Sequence, residues 1–297
     1  MIRYPDALEG IEAEIGASWL QKARERTSQF EMLGKYTEEY TDNQGIKQKL
    51  QPFWSAIKSI YVKRQHGKCI YCESQIERDD HSLVQWDLEH FRPKGNVRVW
   101  PPDEPSLILK YGHLSTGSAA PGYYMLAYAP ANYAAACKTC NSIHKSDYFP
   151  IAGNRIQAGS DPASYAAEDA YLIYPIGSND IDPSDLITFD GAKAVPKYGK
   201  TEDAAKHLRA NIIIDFFELN REWLERQRAK WLCMTVWPWI KLADNADPDA
   251  LLYLRYGKTQ PCPYANCTAC FIDLCTTNRV EAQAKVKLMK DFLELTR

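Results

Sequence analysis

Residues 137–145 read CKTCNSIHK, and the first four of them decide how the rest of the chain is read. Cys137-x-x-Cys140 is a tight turn that can offer two thiolates to one metal ion. A second turn of the same spacing, Cys69-x-x-Cys72, lies in KCIYCES at 68–74. Two such turns complete a closed tetrahedral site, with sulfur about 2.3 Å from zinc. A closed site is structural, so what matters is what it fastens together. Here it would tie the entry to DLEHFRPK (87–94) to the CKTCNSIHK segment. The competing reading is four buried free cysteines; paired CxxC spacing in a reducing compartment favours zinc.

Outward from these turns the chain is ordinary. It has 297 residues, 45% hydrophobic and 25% charged, with a formal net charge of -2. That suits a globular protein with a substantial core. It excludes a molecule that attracts nucleic acid by bulk charge, so any phosphate-binding surface must be local. No apolar run approaches the length of a membrane span. The opening stretch MIRYPDALEGIEAEIG has no apolar signal region. A cytoplasmic protein without membrane contact is therefore expected.

The nine cysteines include four more within PCPYANCTACFIDLC: Cys262, Cys267, Cys270 and Cys275. Two readings stand. One is a second zinc; the other is a helix whose small cysteines face the core. Cys233 stands alone.

Helical periodicity runs from about Ile11 to Arg64, interrupted by a turn at Asp42–Gly45. Ser82–Trp86 reads as a short strand. Residues 96–123 are rich in Pro, Gly and Ser and read as loop. Asp190-Gly191 between ITF and AKAV predicts a hairpin. Helices are expected from Glu202 to Leu242, their Ile, Phe, Leu and Trp forming a buried face, and from Asn278 to Leu295. The expected division is a helical segment (1–64), a core (65–155), a loop and hairpin connection (156–200) and a helical region with the cysteine cluster (201–297).

The ordered set CIYC, EH, APANY, CKTCNSIHK resembles the HNH endonuclease family and its zinc-stapled ββα-metal motif. EHFRPK and CNSIHKSDYFPIAG are similar to a bacterial HNH subfamily that includes the nuclease partner of Septu-type anti-phage systems, which works beside an ATPase. LIYPIGSNDIDPSDLITFD and IIIDFFELNRE extend the likeness more loosely. The resemblance implies an α+β fold, a ββα-metal core embedded in helical segments on both sides. It implies a phosphodiester hydrolase acting on DNA in antiviral defence. It gives His90 the role of general base, Glu89 and Asn141 those of metal ligands, and Asn132 that of bracing the base and its loop. Oxygen donors suit Mg²⁺ or Mn²⁺ rather than another zinc. Glu89 stands where the family commonly has Asp, and Asn141 where it commonly has His, so weak affinity and activity at millimolar ion are expected.

Beside that site Arg92, Lys94 and Lys145 are candidate phosphate contacts. Lys63, Arg64 and Lys68 either widen the patch or form an ordinary solvated helix end. His144, three residues after Asn141 on a helix, is either a ligand or phosphate contact or a plain surface histidine. Asp87 shares a strand face with Glu89 and competes with it for the metal. His66, His81, His113 and His207 read as structural or surface. The rival reading of the whole is a zinc-stapled nucleic-acid-binding or assembly subunit that cleaves nothing.

Overall fold

The computed structural model describes residues 1–76 and 86–295. Helices α1 (Ala7–Ile15) and α2 (Ala17–Leu33) come first. α2 stops at Gly34, whose φ of 65° only glycine adopts without strain and whose N–H caps Glu31 O. The expected resumption of helix fails next. Strands β1 (Glu39–Thr41) and β2 (Lys47–Lys49) pair antiparallel around the Asp42–Gly45 turn. Asp42 Oδ1 accepts from the N–H groups of Gln44 and Ile46, 2.9 Å each, and this local turn chemistry outcompetes helix propagation. Helix returns with a 3-10 turn at Trp54–Ile57 that runs into α3 (Lys58–Arg64).

The central unit is β3 (Trp86–His90) paired antiparallel with β4 (Tyr133–Cys137), Glu89 opposite Ala134 and His90 opposite Tyr133. Residues 82–85 of the expected strand lie outside the described residues, as does His81; the strand carries Asp87 to His90 itself. β4 reads YAAAC, and Tyr133 to Ala136 are all buried. Alanines leave room for α3 to pack closely. The far edge of β4 is not left open: Ile70 N–H donates to Ala135 O (3.0 Å). Gln65 completes it, donating from Nε2 to Ala135 O (2.9 Å) and accepting Ala135 N–H (2.8 Å). The Gln65 amide thus substitutes for a strand's backbone.

The connection from β3 to β4 is not all loop. PSLILKY forms α4 (Pro105–Tyr111), opened by a proline at its first turn. Gly122 crosses Gly95 so closely that a Cβ there would lie 2.5 Å from Gly95 O. β5 (Ile187–Asp190) and β6 (Lys193–Pro196) form the expected hairpin. Helices α5 (Ala204–Phe216), α6 (Glu222–Trp231), α7 (Trp237–Ala243), α8 (Pro248–Tyr256), α9 (Ala265–Thr277) and α10 (Arg279–Leu295) complete an α+β protein. The main hydrophobic core runs from Met1 to Leu293, and a smaller cluster of Ala23, Phe30, Leu50, Ala127 and Tyr128 seats α2. Among the described residues no helix is long and apolar enough to cross a membrane.

Candidate active site

The four CxxC sulfurs come together. Their Sγ atoms all lie within 4.8 Å of one another, and Cys72 and Cys137 are 3.8 Å apart. Four sulfurs bound to one zinc would sit about 3.8 Å apart, whereas a disulfide needs about 2.05 Å. None of them is in a disulfide. Backbone N–H groups of Cys137 and Cys140 point at Cys69 Sγ (3.4 Å) and Cys137 Sγ (3.5 Å), favouring thiolate charge. The donor set fits a structural zinc.

The C-terminal cysteines do not gather. Cys267, Cys270 and Cys275 ride on α9, where 100° per residue turns them toward different neighbours. Cys267 Sγ faces Gly191 O (3.4 Å), Cys270 Sγ faces Thr188 Oγ1 (3.4 Å), and Cys262 Sγ faces Pro263 O (3.5 Å). Among the described residues the four CxxC cysteines are the one group of His, Cys, Asp and Glu ligand atoms that converges. The second zinc gives way to cysteines packed among helix, hairpin and loop.

Beyond the knuckle, Cys140 sits in a helical turn, Thr139–Lys145, wound more widely than an α-helix. Ser146 N–H reaches back five residues to Asn141 O (2.6 Å). At about 4.4 residues per turn, Asn141 and Lys145 share a face and His144 leaves it. His144 accordingly points at Glu218 (4.0 Å), away from the site expected for it.

Asp87, Glu89, His90, Lys94 and Asn141 line one cleft of about 710 Å³. Its other wall includes Tyr36, Trp54 and Lys58, contributed by the N-terminal segment. Their sequence gave no sign of this, since an aromatic in a helical pattern reads as core. Lys94 lies over the rings of Trp54 (4.9 Å) and Tyr36 (5.2 Å).

His90 is buried, edge-on to Trp54 (5.0 Å) and Tyr133 (4.8 Å). Its Nε2 lies 3.1 Å from Ala127 O. A carbonyl only accepts, so the neutral ring carries its proton on Nε2 and keeps a lone pair on Nδ1. Burial pushes the imidazole well below its usual pKa, and the cations of Lys94 and Lys145 add to this. The ring is neutral at pH 7. Asn132 braces the same turn. Its Nδ2 donates to Leu126 O and Arg92 O (3.1 Å each), and its Oδ1 accepts Arg92 N–H (2.8 Å). It thereby ties the residue before His90's acceptor to the chain just after His90.

Glu89 is buried, and desolvation pushes its carboxyl up to about 7 despite the opposing charge of Lys145. Lys145 Nζ lies 3.3 Å from Glu89 Oε1, out of line for a hydrogen bond, so Oε1 has ion-pair company and no hydrogen bond. Asn141 gives its Nδ2 to Asp87 Oδ2 (2.9 Å). Among the described residues nothing donates to Asn141 Oδ1. The Glu89 carboxylate and the free amide oxygen of Asn141 belong to residues that both line the cleft, and oxygen donors of this kind fit Mg²⁺ or Mn²⁺.

Two expected phosphate contacts fall elsewhere. Lys145 is fully buried against Glu89, because the wide helical turn aims it inward. Arg92 is buried too. Its guanidinium meets Glu168 (3.2 Å) and Tyr165 O (3.1 Å), ringed by Phe91, Tyr123, Phe149 and Tyr165. Arg92→Met is expected to cost about 3–5 kcal/mol in urea melts by stranding the Glu168 charge. Nor do the flanking bases widen a patch. Lys63 and Arg64 pair with Glu14, and Lys68 is buried against Cys262 O (2.9 Å). Lys94 alone of the three candidates lines the cleft.

The molecule is thus an α+β protein whose four-cysteine knuckle underpins a cleft holding an acid, a neutral imidazole and an amide. It is similar to the Septu protein PtuB of Bacillus mycoides (strain KBAB4), 29% identical over 175 residues, 59% of this chain and 50% of that protein. The match thus spans about half the length of that curated relative. No family model matches the chain, and no solved structure matches it.

Proposed function

We propose that this chain is a divalent-ion-dependent HNH endonuclease that hydrolyses phosphodiester bonds in DNA. It acts in the cytoplasm as the nuclease of an anti-phage defence system, beside an ATPase partner. The observation that carries the nuclease reading is the cleft, which Glu89, His90 and Asn141 line together. Similarity to a Septu protein supports the defence role. Residues 65–155 are read as the ββα-metal core, with β3, β4 and the turn at Thr139–Lys145 as its parts.

Hydrolysis requires a water to lose a proton while its oxygen bonds to phosphorus and the P–O3′ bond breaks. His90 Nδ1 takes that proton, and neutrality at pH 7 makes it ready to do so. Glu89 and Asn141 hold the ion. When bound, Mg²⁺ or Mn²⁺ neutralises phosphate charge and stabilises the departing 3′ oxygen. Lys94 meets a phosphate as a point charge, held in place by Trp54 and Tyr36.

The test is nicking of supercoiled plasmid with Mn²⁺, with Mg²⁺ and after chelation, with and without the co-encoded ATPase. Ion-dependent nicking is expected. None in any of these conditions overturns the reading.

Burial of Glu89 makes a separate prediction. A carboxyl raised to about 7 is protonated below that pH, and an entering ion must displace the proton. Mn²⁺ affinity should therefore fall about tenfold per pH unit below about 7 and level off above it. His90, already neutral there, contributes nothing to this limb. Lys145→Met removes the charge that opposes burial and should move the break to higher pH. Calorimetric titration with Mn²⁺ across this range reads both effects.

A further inference from the structure

The geometry points to Asp87 as the positioning residue for Asn141, an inference that rests on Asn141 being an ion ligand. Asp87 lies two residues before Glu89 on β3, so both face the same side of the strand. Its Oδ2 accepts from Asn141 Nδ2 (2.9 Å) and from Lys138 Nζ (2.6 Å). Those two contacts occupy the oxygen that meets the amide.

An asparagine amide has two ends of nearly equal shape, one an acceptor and one a double donor. Only its partner decides which end faces where. An ionised carboxylate accepts and cannot donate, so Asp87 fixes the nitrogen end upon itself. Asn141 Oδ1 is then the end presented to the cleft that Glu89 lines. The backbone leaves little other freedom, because Asn141 O is already held by Ser146 N–H (2.6 Å). A flipped amide would turn two N–H donors toward a cation and repel it. A neutral ligand oxygen therefore depends on Asp87 in a way that a carboxylate ligand would not.

That difference supplies the test, a double-mutant cycle read as Mn²⁺ binding to the zinc-loaded protein by electron paramagnetic resonance. With Asn141 in place, Asp87→Ala should weaken Mn²⁺ binding about tenfold, as loss of an outer partner commonly does. In the Asn141→Asp background it should cost less than about twofold, because a carboxylate offers oxygen at either end. Zinc content per chain verifies the knuckle in every variant. If Asp87→Ala loses zinc, Asp87→Asn keeps the volume and removes the obligatory acceptor, and the same cycle applies. Equal losses in both backgrounds would make Asp87 a direct ligand and overturn its positioning role. No loss in the Asn141 background overturns it as well. A wild type that binds no Mn²⁺ removes the ion site itself, and the role of Asp87 with it.

Discussion

His90→Ala should lower the nicking rate about a hundred- to ten-thousand-fold at saturating Mn²⁺, the range by which a positioned base accelerates proton transfer. The argument rests on how thoroughly the ring is prepared. Ala127 O fixes the tautomer (3.1 Å), and Tyr133 OH donates to the same oxygen. Asn132 holds the adjoining Leu126 carbonyl (3.1 Å), so the acceptor of His90 cannot drift. Trp54 and Tyr133 clamp the ring edge-on. Burial keeps the ring neutral, so its lone pair is free at pH 7. His90→Asn is the companion variant, filling more of the space without supplying a base. Both should retain zinc and bind Mn²⁺, since neither touches Glu89 Oε1 or Asn141. A rate within tenfold of wild type, with zinc intact, would assign the base to another group.

What the sequence disclosed and what it hid follow from range. Each CxxC turn is local and carries only half of a zinc's ligands, so two of them in one chain point to the meeting of Cys69, Cys72, Cys137 and Cys140. The hairpin at Asp190-Gly191 was legible for the same reason. Arg92 pairs with Glu168, far along the chain, and a partner at that range leaves no periodic trace. An α-helix over 141–145 would set His144 on the face of Asn141; the wider winding sends His144 to Glu218 and Lys145 to Glu89. Cys262, Cys267, Cys270 and Cys275 show the limit of counting cysteines, since the helix that carries three of them spreads what spacing suggests should gather. Trp54 and Tyr36 join the cleft only through the packing of a separate segment, which no local pattern encodes.

Cys140→Ser should have the larger structural effect. Cys140 is buried at the head of the turn that carries Asn141 and Lys145, and Cys137 ends β4. The zinc they share with Cys69 and Cys72 would pin β4 to the segment before β3. Structural zinc contributes an apparent 10–16 kcal/mol in small zinc-finger peptides, against about 5–15 kcal/mol for the whole stability of a typical domain. Losing one ligand of four is therefore expected to lower the melting temperature by more than about 10 °C. Nicking and Mn²⁺ binding should disappear with it, because Asn141 depends on that turn. Metal analysis of the wild type should give one zinc per chain, not two, and Cys267→Ser should leave that number unchanged. His90→Ala keeps zinc and loses cleavage, whereas Cys140→Ser loses both, and this contrast separates the chemistry from the scaffold. If the wild type held no zinc and Cys140→Ser kept its melting temperature and nicking, four converging thiols would be core packing, and the turn bearing Asn141 would be held by the protein alone.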